Sequence, residues 1–74
     1  MREQSFHTQI GIQLRELRKK KGLTQIEAAR KLNISSRALQ YIEAGTNNTT
    51  AELLLLYSKL LDTKLSTLLL AIGY

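Results

Sequence analysis

An all-α fold of five short helices in one compact domain is what this 74-residue chain predicts. Three observations carry that reading. Proline is absent, β-branched residues never gather into strand-like runs, and apolar residues recur at three- and four-residue steps. A chain of this length makes a single domain, 1–74, with a core over about 10–70 and a flexible segment expected at 1–7. So small a domain buries little apolar area, and association with a partner often adds stability.

The first helix is expected from about Thr8 to Lys20, with Ile10, Leu14 and Leu17 on one face and Gly22 as its stop. Its start is not sharply marked, and Phe6 just ahead of it is placed to pack back onto the domain. The second helix has the clearest opening. Thr24 to Glu27 reads T-Q-I-E, a capping box in which the threonine hydroxyl accepts from the Glu27 amide and the glutamate returns the bond. Ala28, Ala29 and Leu32 turn inward, and Asn33 ends the helix because asparagine tolerates the left-handed backbone of a tight turn. Ser35 caps a third helix running to about Glu43, with Leu39 and Ile42 inward and Gly45 closing it. The polar loop T-N-N-T-T follows and offers two caps for the fourth helix, Thr49 paired with Glu52 or Thr50 itself. That helix is expected from about Ala51 to Leu61, and a fifth from about Leu65 to Ala71. No internal repeat and no low-complexity linker interrupts the series.

Composition narrows the function classes. Eleven basic residues against six acidic ones give a net charge of +5. The surplus is local: Arg15, Arg18, Lys19, Lys20, Lys21, Arg30, Lys31 and Arg37 face only Glu16 and Glu27 in the same stretch, leaving the remainder near neutral. A basic half beside an apolar half suggests a polyanion-binding face and a packing face. Read alone, the lysine run at Lys19, Lys20 and Lys21 is equally well a solvated helix end, where cations complement the dipole. Cysteine is absent, so neither a disulfide nor a thiolate metal site is available, and the reducing cytoplasm is the expected setting. His7 is the sole histidine and has few carboxylates near it in sequence, so neither metal nor cofactor is expected. The residue sets for nucleophilic catalysis and a glycine-rich phosphate loop are missing too, which argues against an enzyme. The leucine-rich end is broken by Lys59, Asp62 and Lys64, short of the roughly 20 apolar residues that span a bilayer, and the polar N-terminus resembles no secretion signal. No membrane role is expected, and no small-molecule ligand has a visible home in so short a chain.

Residues 22–45, GLTQIEAARKLNISSRALQYIEAG, are the most informative stretch. Two short helices packed steeply need a small residue at their crossing, which Ala29 supplies, and an apolar plug after the turn, which Ile34 supplies. The second of them must bury Leu39 and Ile42 while leaving Ser36, Arg37, Gln40 and Tyr41 free. Serine, arginine and glutamine are residue types that hydrogen-bond base edges, arginine to guanine and glutamine to adenine above all. A helix that opens with such residues fits the major groove of DNA.

From Ile10 to about Leu69 the chain resembles the lambda-repressor-like domains of the Cro/XRE helix-turn-helix type. The matching elements are I-G-I-Q-L-R-E-L-R in the first helix, G-L-T-Q opening the second, Ala29, N-I-S at the turn and Y-I-E-A-G closing the third. Any one would be weak; the combination is specific. The resemblance implies that Ser36, Arg37 and Tyr41 line the major groove, with Gln40 at its edge. It implies that Gln25 contacts a phosphate and braces the reading helix, with Thr46, Asn47 and Asn48 also beside the DNA backbone, and Lys21 of the basic run is expected at a phosphate too. Arg18 and Glu43 stand where the family places a structural ion pair. Four positions depart from the pattern: Asn33 replaces the usual turn glycine, Thr49 a usual proline, Ala28 a larger core residue and Ile26 an exposed acidic one. Ile26 either leans inward to fill the space Ala28 leaves or forms an exposed contact.

The fourth helix carries more leucines than one face can use. At 100° per residue Leu54, Tyr57 and Leu61 share the core side, Leu53, Leu56 and Leu60 form an adjoining stripe, and Leu55 stands apart. A twofold homodimer through Leu53, Leu56, Leu60, Leu65 and Leu69 is the favoured use of the surplus, since dimers pair reading helices across successive major grooves. The alternative is that the tail from Ala71 folds over them. The function expected is a sequence-specific regulator of transcription, repressor-like, binding an inverted repeat in double-stranded DNA as a homodimer. The competing expectation is an interaction module, such as an antitoxin-like protein whose leucine face covers a protein partner, with DNA contact secondary or absent.

Overall fold

The computed structural model describes residues 5–46 and 49–73. These form α1 (Phe6–Lys20), α2 (Gln25–Leu32), α3 (Ser36–Ala44), α4 (Ala51–Leu60) and α5 (Leu65–Ala71), and no strand is present among the described residues. The first four helices begin on a hydroxyl. Ser5, Thr24, Ser35 and Thr50 each accept a hydrogen bond from the amide three residues on, at 3.0–3.2 Å. At Thr24 the box is complete, since Glu27 Oε1 accepts from the Thr24 amide at 2.8 Å. Thr50 rather than Thr49 caps α4. With Ser5 as its cap, α1 begins at Phe6, two residues ahead of the expected Thr8, whose hydroxyl lies 2.9 Å from that of Ser5.

The same four helices stop in one way. Gly22, Asn33, Gly45 and Asp62 have φ of 78°, 60°, 71° and 56°. The amide after each reaches back to the carbonyl five residues earlier (Leu23 to Arg18, Ile34 to Ala29, Thr46 to Tyr41, Thr63 to Ser58) at 2.9–3.2 Å. Asp62 does at the end of α4 what Asn33 does at the end of α2, a short polar side chain tolerating the left-handed region. α5 differs: Lys64 stands at its N-cap, and an ammonium cannot accept from an amide.

Ile10, Leu14, Ala28, Ala29, Leu39, Ile42, Leu54, Tyr57, Leu61 and Leu68 form one buried cluster. Packing centres on α3, which lies against α1 and α2; α4 packs on α2, and α5 closes over α1 and α4. Leu17, Leu32 and Phe6 are half-buried at the margin of the cluster. Gly11 makes a close approach. A Cβ placed there would lie 2.4 Å from the Glu43 carbonyl oxygen and 2.6 Å from that of Ile42, so α1 and α3 cross with main chains in contact. Ala28 is fully buried while Ile26 remains 62% exposed, so the isoleucine does not lean inward. Among the described residues no helix is long and apolar enough to cross a membrane.

Candidate nucleic-acid interface

α2 and α3 are joined by three residues, 33–35, in which Asn33 reverses the chain and half-buried Ile34 packs against the core. The inner side of α3 is Leu39, Ile42 and Glu43. Arg37, Gln40 and Tyr41 are exposed, whereas Ser36 at the first helical position is half-buried. It lines a recess with Ile26, Ala29, Arg30, Asn33 and Ile34. Thr46 is exposed just past the helix end. Asn47 and Asn48 lie outside the described residues.

Behind that surface is a hydrogen-bonded centre. Arg18 Nε donates to Glu43 Oε2 at 2.6 Å, its second terminal nitrogen to Oε1 at 3.1 Å, and its first to the Leu23 carbonyl at 2.8 Å. Gln25 Nε2 donates to Glu43 Oε1 at 3.1 Å and Tyr57 Oη to Oε2 at 2.5 Å. A carboxylate has about four acceptor positions, and here α1, α2 and α4 fill them from three directions. The Arg18 and Glu43 side chains are only 7% and 3% exposed. No buried side-chain nitrogen or oxygen among the described residues lacks a partner.

Burial pushes the Glu43 carboxyl up, but bonds from Arg18, Tyr57 and Gln25 outweigh it and hold the group below its ordinary value. The bond to Glu43 raises Arg18 in turn. Burial, and then the bond to the carboxylate, push the Tyr57 phenol far above its ordinary value, so it remains a donor.

Two further cations take distinct places. Lys21 is ion-paired with Asp62 on the turn after α4, so its ammonium is shared between that pair and any phosphate role. Arg15 lies in a small hollow with Gln25, Gln40, Glu43 and Ala44, beside two of the residues expected at the interface. In the sequence Arg15 is one member of a basic run, with nothing to single it out.

The leucine half is arranged more economically than its composition suggests. Of the five leucines expected at a dimer interface, Leu53, Leu60, Leu65 and Leu69 are half-buried against the chain's own core, and only Leu56, at 45%, is exposed. α5 folds back over α1 and α4, and Leu53 and Leu60 of the adjoining stripe pack against the core. Leu55, 43% exposed, and Leu70, 71% exposed, remain outside.

A short helix, a left-handed turn and a second helix held by its inner side and open along its outer side define a helix-turn-helix unit. The chain belongs to the helix-turn-helix family of the Cro/C1 type, whose model matches residues 14–68. Among solved structures it is similar to the clp gene regulator ClgR of Corynebacterium glutamicum, at 28% identity and a TM-score of 0.88 over 93% of this chain and 88% of that one. It is similar to SinR, a master regulator of biofilm formation solved in complex with DNA, at 33% identity and a TM-score of 0.73 over 81% of this chain and 97% of that one. The restriction-modification controller protein C.Esp1396I is 26% identical, with a TM-score of 0.78 over 92% of this chain and 91% of that one. No curated protein sequence matches the chain.

Proposed function

We propose that this protein is a sequence-specific, double-stranded-DNA-binding regulator of transcription, repressor-like in action, that places α3 in the major groove. The observation that carries the reading is the two-sided character of α3, with Arg37, Gln40 and Tyr41 exposed along one side and Leu39, Ile42 and Glu43 buried along the other. Similarity to SinR, solved on DNA, supports it. Arg37, with Ser36, Gln40 and Tyr41, reads base edges. Gln25, Lys21, Thr46, Asn47 and Asn48 hold the backbone and set register without reading sequence. Arg18 and Glu43 are the structural pair that keeps α3 in place. Two copies bind an inverted repeat, meeting through the outer side of α4 and α5, with Leu56 exposed and Leu53, Leu60, Leu65 and Leu69 beneath. No catalytic step is assigned to the chain.

Selection of binding sites from random duplexes, followed by salt-titrated binding and sedimentation, tests the reading. Affinity for the selected site is expected to fall steeply with salt while preference over scrambled DNA persists. Arg37→Ala is expected to cost about 1–3 kcal/mol on the selected site and to relax preference at one base pair. Unchanged discrimination in Arg37→Ala removes it from the reading set. Flat, negligible binding by the native chain favours a protein-interaction module instead.

A further inference from the structure

We propose that Tyr57 is a positioning residue for DNA recognition, acting on α3 through Glu43. The inference rests on the DNA-binding reading and adds to it a residue that lies on α4, outside the helix-turn-helix.

The buried apolar residues of α3, Leu39 and Ile42, hold the helix by contact, and apolar contact is non-directional. Such packing resists lifting the helix away better than it resists turning it about its axis or sliding it. Glu43 is the directional element. Its carboxylate lies one turn or less from Gln40 and Tyr41 on the same helix, so its position sets how those side chains and Arg37 are aimed. Arg18 reaches both carboxylate oxygens from α1, and Gln25 reaches Oε1 from α2. Tyr57 is the only contribution from α4, and it meets Oε2 at 2.5 Å while fully buried.

These bonds differ in how free they are to change. Gln25 is half-buried and is also the residue proposed to meet a phosphate, so one N–H of its amide can serve DNA while the other stays on Glu43. Tyr57 is fully buried, so its hydroxyl has no phosphate to serve and its bond to Glu43 competes with no DNA contact. It therefore supplies the fixed reference against which Gln25 and α3 are set. A phenylalanine at 57 would fill almost the same space, leave Arg18 paired with Glu43, and remove only that reference. Recognition sites tolerate errors of about 0.5 Å or 10–20° in side-chain placement, a margin that one lost directional bond can exceed.

The test is Tyr57→Phe, compared with the native chain and with the core variant Leu68→Ala at a temperature where circular dichroism finds each folded. Binding is measured to the selected site and to scrambled duplex across a salt series. For Tyr57→Phe the expected result is a loss of about 3- to 10-fold on the selected site, the scale of one charge-assisted hydrogen bond partly transmitted. Scrambled DNA should bind unchanged, with the same salt slope, because no phosphate contact has been removed. Amide chemical shifts at Arg37, Gln40 and Tyr41 should move with the substitution. Leu68→Ala, although destabilised, should keep native discrimination and those shifts. Equal discrimination by Tyr57→Phe and the native chain overturns the inference and leaves the DNA-binding reading standing. Equal loss on both duplexes overturns it as well, and so does a Tyr57→Phe chain that will not fold, because the hydroxyl would then hold the domain together rather than aim a helix. A native chain without sequence preference sinks both proposals.

Discussion

The α2–α3 half and the α4–α5 half are built from similar lengths of helix, yet they spend their exposed surface differently. In the first half, α3 exposes Arg37, Gln40 and Tyr41 while a saturated carboxylate fixes the helix from behind, and Ile26 of α2 is the large aliphatic side chain left well exposed. In the second, exposure falls on Leu55, Leu56 and Leu70, and α5 begins without a side-chain cap. Hydrogen bonds with defined partners and angles locate a helix; leucine contacts allow neighbouring arrangements of similar energy. The contrast suits one half that must present side chains in register and another that can adapt to a second copy.

The sharpest way to break that contrast is at Glu43. Glu43→Ala leaves the Arg18 guanidinium buried without its partner, and a loss of roughly 3 kcal/mol or more in urea unfolding is expected. Linkage adds a pH signature. The Glu43 carboxyl ionises more readily in the folded chain than in the unfolded one, so its contribution is complete above a carboxylate's ordinary value of about 4.3 and fades as pH falls through the lower folded value. The phenol of Tyr57 runs the other way: its contribution is complete below about pH 10 and is lost as pH rises beyond it. Acid unfolding should therefore lose part of its pH dependence in Glu43→Gln, and alkaline unfolding part of its own in Tyr57→Phe. A native chain whose stability is flat from pH 5 down to pH 2 would contradict the Glu43 assignment.

Thr24→Ala is a smaller break in the same half. Removing the hydroxyl that accepts from the Glu27 amide should cost about 1 kcal/mol, read from the shift in urea midpoint at constant slope. Smallest of all should be Leu56→Ser in the other half, within about 0.5 kcal/mol for the isolated chain because the residue is already exposed. The proposed dimer makes its signature appear elsewhere, as a weaker self-association constant in sedimentation equilibrium. If Leu56→Ser leaves association intact, α4 does not carry the interface.

Much of this was legible in the residues, and what was hidden has a physical cause. Thr24, Glu27, Asn33 and Gly45 mark their places because caps and turns depend on a few neighbouring atoms. The inner positions Ile10, Leu14, Leu39, Ile42 and Leu54 follow from period alone. Tyr57 falls on the same period, but periodicity reports that a side chain is inside and not what its hydroxyl meets. The Ser5 cap sat before a segment whose helical pattern was too weak to fix its start. Ile26 was ambiguous because filling a space and facing solvent leave the same letter in the sequence. Leu53, Leu60, Leu65 and Leu69 stand where a linear pattern predicts a dimer surface, but a pattern does not show how much of their area packs against the chain's own core once α5 folds back. Nothing in a basic run marks Arg15, since its place beside Gln25 and Gln40 depends on how α1 crosses α3.

That crossing has a consequence for change over time. At Gly11 the main chain of α1 rests directly on the Ile42 and Glu43 carbonyls, and together with the Glu43 hydrogen bonds this seats α3 from its inner side. Arg37, Gln40 and Tyr41 lie on the exposed side of α3, away from that contact. On the proposed reading a lineage can change these positions and acquire a new target while keeping the scaffold, whereas the glycine at 11, with carbonyls 2.4 and 2.6 Å from where a Cβ would stand, admits no such experiment.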